Sequence, residues 1–265
     1  MKALIKLGGT LLDAPELRAS LAGQIAAQVR RGIQITVVHG GGKQMTRYLA
    51  ERGMASRFVN GLRVTTAETM DAVLKVLAGS VNQELVAALI AAGAQAVGLS
   101  GVDGNLVEAE QMDETLGMVG RVTRAHPELL DLLAGRGYLP VVACVAGGRD
   151  GRMYNVNADQ MAAACAAAWR ADRLIFLTDI AGVLDGAGRV QPVLSAEECQ
   201  RLIASGVDTG GMQAKLNAAG TALDAGVDEI EIAPGASPEV LARLLDGELA
   251  GTKIVRAAQR VTSHD

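Results

Sequence analysis

Val37-Val-His-Gly-Gly-Gly-Lys-Gln44 carries the first signal of the fold. A β-rich run, Ile33-Gln-Ile-Thr-Val-Val38, ends in three glycines, and a helical spacing of Met45, Leu49 and Arg52 starts directly after them. Strand, glycine hinge and helix in that order leave backbone N–H groups unpaired at a helix N-terminus, which suits an anion, most often a phosphate. The spacing is neither a Walker A loop nor the Gly-x-Gly-x-x-Gly dinucleotide fingerprint. Three glycines after a strand also make a plain tight turn, so the anion reading rests on its company. Lys6-Leu-Gly-Gly9 closes the first strand, and Asn155-Val-Asn-Ala-Asp159 follows a late one.

Outward from the octet, Ala3-Leu-Ile-Lys-Leu7 reads as a short buried strand ended by Gly8 and Gly9. A lysine there is costly unless it is paired or reaches a site at the strand's carboxyl end; an edge-strand lysine facing water is the other reading. Pro15 suits a helix N1 position, Leu17, Leu21, Ile25 and Val29 mark one face, and Gly32 suits the C-cap. Asn60-Gly-Leu-Arg-Val-Thr65 reads as a loop. Thr65-Thr-Ala-Glu68 predicts a capping box for a helix to about residue 77, and Ser80-Val-Asn-Gln83 a second box opening a separate helix that ends at Gly93.

Further strands are expected near 95–100, 139–144, 172–178, 229–233 and 252–255, with an antiparallel excursion at 106–110 after Asp103-Gly104. Helices are expected after Pro127, after Asn155-Val-Asn-Ala-Asp159, at the Ser195-Ala-Glu-Glu198 box, from Gly210 and at Ser237-Pro238. This alternation predicts an α/β fold, a three-layer αβα sandwich around a mainly parallel sheet, with ligands at the carboxyl ends of the strands. No repeat or linker divides the chain. One domain over 1–265 is expected, with an N-terminal lobe of about 1–175 and a C-terminal lobe of about 176–265.

Composition narrows the function. Hydrophobic residues make up 49% of the 265 but aromatics only 2%, so the core is aliphatic. Net charge is −4 and no run of Lys or Arg stands out, which argues against nucleic-acid binding. Cys144, Cys165 and Cys199 are scattered, odd in number and near no histidine, so neither a disulfide framework nor a zinc site is indicated. Met1-Lys-Ala-Leu-Ile-Lys6 enters a strand without a signal-peptide pattern, and Gly and charged residues interrupt every long apolar run. A cytoplasmic protein is expected.

Two glycine turns, two candidate lysines and an acid suit phosphoryl transfer, where positioning and charge neutralisation do most of the catalysis. N–H groups of Gly9 and Gly41 are placed for phosphoryl oxygens, Lys6 and Lys215 for the charge building on them, and Asp159 for orienting the lysines. No histidine stands out as a base: His126 and His264 lie away from the turns, and His39 reads as structuring the loop. A carboxylate acceptor, already ionised at neutral pH, needs none. Arg63 suits such an acceptor through its planar fork; a solvated loop arginine is its alternative.

The chain resembles the acetylglutamate kinase branch of the amino acid kinase family. The resemblance runs through Lys6-Leu-Gly-Gly9, His39-Gly-Gly-Gly42, Asn60-Gly-Leu-Arg-Val-Thr65, Gly137-Tyr-Leu-Pro-Val-Val142, Asn155-Val-Asn-Ala-Asp159, Thr178-Asp-Ile-Ala-Gly-Val-Leu184, Gly211-Met-Gln-Ala-Lys215 and Gly251-Thr-Lys-Ile254. It implies ATP-dependent phosphorylation of the side-chain carboxylate of N-acetyl-L-glutamate in arginine biosynthesis. By it, Lys6, Lys215 and Asp159 are catalytic, and Gly8, Gly9 and Gly41 bind the phosphoryl group. Gly41, Gly42, Arg63, Asn155 and Asn157 hold the acceptor. The nucleotide falls to Asp179, Ile180, Ala181, Gly182, Val183, Leu184, Val207, Asp208, Thr209, Gly211 and Met212. Magnesium travels with ATP on its phosphates, with no dedicated protein cage.

Arginine-inhibited members resemble this chain but carry an extra N-terminal helix, whereas its first strand starts at about residue 3; a homodimer without arginine feedback is the expectation. The residues flanking Lys215 do not fix the acceptor. The nearest alternative is a same-fold kinase for a carrier-protein-bound aminoadipate or glutamate, which calls for a basic surface that this sequence lacks. A non-catalytic ligand sensor is the other, and retention of both lysines with Asp159 argues against it.

Overall fold

A computed structural model, describing residues 1–206 and 210–256, centres on two adjacent parallel strands, β1 (Lys2–Leu7) and β2 (Gln34–His39). Each is buried after its first residue, as apolar runs covered on both faces require. Between them Pro15 opens α2 (Pro15–Arg30), and Gly32, at φ +86°, turns the chain past its end. The two glycine turns open α1 (Gly9–Asp13) and α3 (Gly42–Ala50).

The main sheet adds β5 (Ala96–Ser100), β8 (Leu139–Ala143), β11 (Arg173–Thr178), β12 (Val193–Ser195), β13 (Glu229–Pro234) and β14 (Thr252–Val255). Its order is β12-β14-β13-β11-β1-β2-β8-β5, parallel throughout except between β13 and β14. Helices cover both sides, as the three-layer reading expects. The expected antiparallel excursion is part of a separate small barrel of β6 (Val107–Gln111), β7 (Val119–Ala125), β9 (Val145–Gly147) and β10 (Met153–Val156). The loop expected at 60–65 is a hairpin, β3 (Phe58–Val59) with β4 (Leu62–Arg63). Asn60 and Gly61, both at positive φ, turn it.

Two boundaries differ from the sequence reading. Thr66, not Thr65, caps α4 (Ala67–Val73) by accepting from Thr69 N–H, because Thr65 is buried with its hydroxyl donating to Arg63 O. No second helix starts at Ser80: the chain runs on through a π-helical stretch, Leu74–Val81, into α5 (Asn82–Ala91). That unbroken Ala67–Ala91 helix is long and apolar enough to cross a membrane by composition, since Lys75 and Gly79 do not interrupt it. Met70, Val73, Val76, Leu77, Leu85 and Leu89 are buried in the core, the ordinary setting of such a helix in a folded domain.

The remaining helices are α6 (Glu128–Gly135), α7 (Ala158–Trp169), α8 (Ala196–Ala204), α9 (Gly211–Asp224) and α10 (Val240–Leu245). Helix α10 starts later than Ser237-Pro238 because Glu239 takes a left-handed conformation before it. The expected Ser195–Glu198 capping box is present. Alanines 162, 163 and 166 on α7 are buried, and their small size lets the helix pack closely on β1, β11 and α9. Helix α2 packs against α5 and α10.

Glu231 on β13 is a buried acid away from those strand ends. It is 3% exposed, lies 3.8 Å from Arg173, and its Oε2 has no hydrogen-bond partner among the described residues. Burial raises its pKa from the usual 4.5 to about 7, with Arg173 opposing. Unfolded, this acid ionises near pH 4.5; folded, it keeps its proton to about pH 7, so the native state loses stability as pH rises between those values. The loss is on the order of 3 kcal/mol. Glu231→Gln is therefore expected to raise the thermal midpoint at pH 8 and to leave it nearly unchanged at pH 4. A midpoint lowered at pH 8 would mean the Arg173 pair outweighs burial.

Candidate active site

The carboxyl ends of β1, β2, β8 and β11 meet the first turns of α1, α3, α7 and α9. Lys6, one residue from the end of β1, has a side chain only 8% exposed, with Nζ 2.8 Å from Asp159 Oδ1. The edge-strand alternative is thereby removed: β1 lies between β2 and β11. Asp159 stands in the first turn of α7, where a helix N-terminus favours an anion. Lys215, in α9, places Nζ 3.5 Å from Asp159 Oδ2 and donates to Gly211 O at 3.3 Å. Burial lowers the pKa of the Lys215 ammonium, Asp159 opposes this, and Lys6 lowers it further. One carboxylate thus faces two ammonium groups, leaving net positive charge in a water-poor place.

The two glycine turns touch. A Cβ on Gly9 would sit 3.0 Å from Gly42 N and 3.3 Å from Gly41 N, and one on Gly41 would strike Leu77 Cδ2 at 2.5 Å. Side chains are excluded there for want of space. The leading N–H groups of α1 and α3 precede any intrahelical acceptor, so they are available to a ligand. Gly8 is not, because its N–H donates to Leu177 O at 3.0 Å. Gln44 Nε2 donates to Gly9 O at 3.3 Å and joins the turns from α3.

Arg63 closes the opposite wall. It is 9% exposed, and its guanidinium donates to Ser56 Oγ (2.5 Å), Gly42 O (3.1 Å) and Thr46 Oγ1 (2.9 Å) while stacking on Phe58 at 4.6 Å. Burial lowers its pKa, and no carboxylate pairs with it among the described residues. The solvated-loop alternative fails. Asn155 Nδ2 donates to Thr65 Oγ1 at 3.1 Å, tying β10 to the hairpin. Asn157 caps α7, its Oδ1 accepting from Asp159 N–H and Gln160 N–H, so its oxygen is committed to the helix.

A cleft of about 230 Å³ is lined by Lys6, Gly9, Gly41, Gly42, Arg63, Asn155, Asn157 and Asp159, with Phe58, Leu62, Val119 and Val156 among its apolar walls. Gly8, Lys215 and residues 179–184 do not line it. Asp179 follows β11 and accepts from Thr178 Oγ1 at 3.2 Å; its charge reaches Lys215, whose pKa it raises. Ile180 and Leu184 are each 39% exposed, whereas Val183 is buried, with its N–H donating to Thr252 Oγ1 at 2.8 Å. Gly182 lies against that hydroxyl: a Cβ there would come within 2.7 Å of it. Ala181 is exposed beside them, and Gly211 and Met212 open α9 one turn before Lys215. Val207, Asp208 and Thr209 lie outside the described residues.

Sequence reasoning missed Ser56, Thr46 and Phe58. Phe58 carried a usable signal: it is one of two phenylalanines in the chain and lies five residues before Arg63.

The amino acid kinase family model matches residues 1–234. The chain belongs to the amino acid kinase family. Within it, the chain is 65% identical to an acetylglutamate kinase of Solibacter usitatus, over 97% of this chain and all of that one. It is 45% identical to one of Acidobacterium capsulatum, over 93% and 98%. Among solved structures it superimposes on an N-acetylglutamate synthase of Neisseria gonorrhoeae, complexed with coenzyme A and N-acetyl-glutamate, with a TM-score of 0.86 at 25% identity. That match covers 97% of this chain and 60% of that one. Smu.665 of Streptococcus mutans matches at a TM-score of 0.82 and 29% identity, over 97% and 99%.

For a member of this family the Lys6–Asp159–Lys215 arrangement sets a stability test. Asp159→Asn leaves two buried ammonium groups without their counter-ion, and urea unfolding is expected to show a loss of about 3–5 kcal/mol. Unchanged stability would mean that water already relieves the lysines.

Proposed function

We propose that this chain transfers the γ-phosphoryl group of ATP to the side-chain carboxylate of N-acetyl-L-glutamate, giving N-acetyl-L-glutamyl 5-phosphate and ADP, the second step of arginine biosynthesis. The observation that carries the reading is Arg63: a buried guanidinium that, among the described residues, touches neutral oxygens and an aromatic ring and no carboxylate, in the same cleft as Lys6 and the glycine turns. A buried cation without a counter-ion is costly, and an anionic acceptor supplies one. The acetylglutamate kinase relatives, matched over nearly their whole length, name that acceptor.

The acceptor carboxylate is ionised at neutral pH and attacks without a general base. Arg63, Asn155, Asn157, Gly41 and Gly42 hold the acceptor. Lys6 and Lys215 offset charge on the transferring group from two sides, Asp159 keeps both aimed, and the N–H groups of Gly9 and Gly41 meet its oxygens. Residues 179–184, Gly211 and Met212 form the nucleotide side. Magnesium arrives on the ATP phosphates; among the described residues no group of three His, Cys, Asp or Glu side chains is placed to hold it. The acceptor cleft falls in an N-terminal lobe to about residue 175 and the nucleotide side in a C-terminal lobe, with Lys215 reaching across. The working form is a cytoplasmic homodimer.

ADP release with MgATP, offering N-acetyl-L-glutamate, glutamate, aspartate or no acceptor, with hydroxylamine to trap acyl phosphate, tests this. Turnover and hydroxamate confined to acetylglutamate are expected; silence with every free acid would contradict the reading and point to a carrier-bound acceptor or a sensor. Lys6→Ala and Lys215→Ala are expected to lower kcat by about 100-fold or more, while Arg63→Ala mainly raises KM for the acceptor. Equal, small effects from all three would misplace the site.

A further inference from the structure

His39 ends β2 directly before the glycine turn and is fully buried. Its Nδ1 lies 2.8 Å from Gly40 O, and its Nε2 lies 2.9 Å from Asn82 Nδ2. Asn82, 1% exposed at the start of α5, also brings Nδ2 to 2.9 Å from Val141 O on β8. A carbonyl only accepts, so the amide nitrogen of Asn82 faces Val141 O and turns its second N–H to His39 Nε2 at 2.9 Å, with Leu99 O farther off at 3.4 Å. Nε2 of His39 therefore accepts, the ring proton sits on Nδ1, and Nδ1–H donates to Gly40 O. A second ring proton would set Nε2–H against the Asn82 N–H; burial, which holds the imidazole pKa down at about 4, also keeps the ring neutral.

Both ends of this relay finish on backbone carbonyls, and the far end belongs to the peptide that matters. In a planar trans peptide the C=O and the next N–H point in opposite directions, so fixing Gly40 O fixes the Gly41 N–H. Leu77 and Val81 of the π-helical stretch press on Gly41 from the same side, since a Cβ there would meet them at 2.5 and 3.4 Å. Gly98 on β5 makes the room: a Cβ there would lie 2.2 Å from Asn82 Oδ1.

We propose that Asn82 and His39 are positioning residues, whose relay from Val141 O to Gly40 O holds the Gly40–Gly41 peptide with its N–H turned into the cleft. The inference rests on the phosphoryl-transfer reading of that cleft. It gives the π-helical stretch a task, since π turns recur where a helix must place one residue out of register.

Two measurements on the full chain test it. In nitrogen-15 NMR of the wild-type protein, His39 is expected as the neutral Nδ1–H tautomer; an Nε2–H tautomer or an imidazolium at pH 7 overturns the relay. For kinetics, asparagine places an N–H near the Nδ1 position and glutamine near Nε2. His39→Asn is therefore expected to keep kcat within about threefold, and His39→Gln to lower it about tenfold or more with KM for acetylglutamate little changed. Gly98→Ala, which displaces Asn82 from β5 without entering the cleft, is expected to lower kcat in the same way. A buried histidine serving packing alone predicts the reverse order, because glutamine matches its volume better, and that order overturns the proposal. If the variants fail to fold, the wild-type tautomer still decides. Absence of acetylglutamate turnover in the wild type, with the Nδ1–H tautomer present, would count against the functional reading and not against the relay.

Discussion

Asp159 stands between the ammonium groups of Lys6 and Lys215, 2.8 and 3.5 Å away, and the three residues come from α7, β1 and α9. A buried lysine requires a counter-charge, and here one carboxylate serves two. That shortage is what makes the place a site. Arg63 adds a third buried cation nearby, in the cleft that Lys6 and Asp159 also line, and no carboxylate pairs with it among the described residues. The α/β architecture supplies the geometry, because parallel strands ending together bring residues far apart in sequence to one rim.

The glycine turns do the complementary work with backbone. Lysines neutralise charge without much direction, whereas N–H groups at helix starts are fixed in direction and cost nothing to reorganise. Close contact between Gly9 and the 41–42 turn leaves no room for a side chain, so the two sets of amides act as one surface. Arg63 belongs to the same construction: its donation to Gly42 O couples the hairpin wall of the cleft to the glycine turn. A shift of the hairpin is thereby felt at the turn.

Much of this was legible in the sequence. A lysine inside an apolar strand is costly enough to demand a partner, and Lys6 has one in Asp159. The glycine triplet, the Asn-x-Asn-Ala-Asp run and the arginine after Asn-Gly-Leu were readable because their residue types suit few other settings. What misled was polarity with two explanations. Ser80-Val-Asn-Gln83 has the composition of a helix start, yet the helix runs straight through, and Asn82 is polar because it reaches His39 across the core. Asn157 lines the cleft and at the same time caps α7 with its oxygen, a double use that local pattern does not show. Gly8 stands beside Gly9 in the same turn, yet its amide is spent on Leu177. Local pattern does not say which backbone groups the far side of the sheet has already taken.

The proposed reaction requires an anionic acceptor that pairs with Arg63 in the cleft lined by Lys6 and the glycine turns. A crystal structure with N-acetyl-L-glutamate, a non-hydrolysable ATP analogue and magnesium addresses that most directly. One ligand carboxylate is expected in the fork of Arg63, with the reacting carboxylate facing the Gly41 N–H and the Lys6 ammonium. Acetylglutamate bound elsewhere, with Arg63 still donating only to Ser56, Gly42 and Thr46, would contradict it.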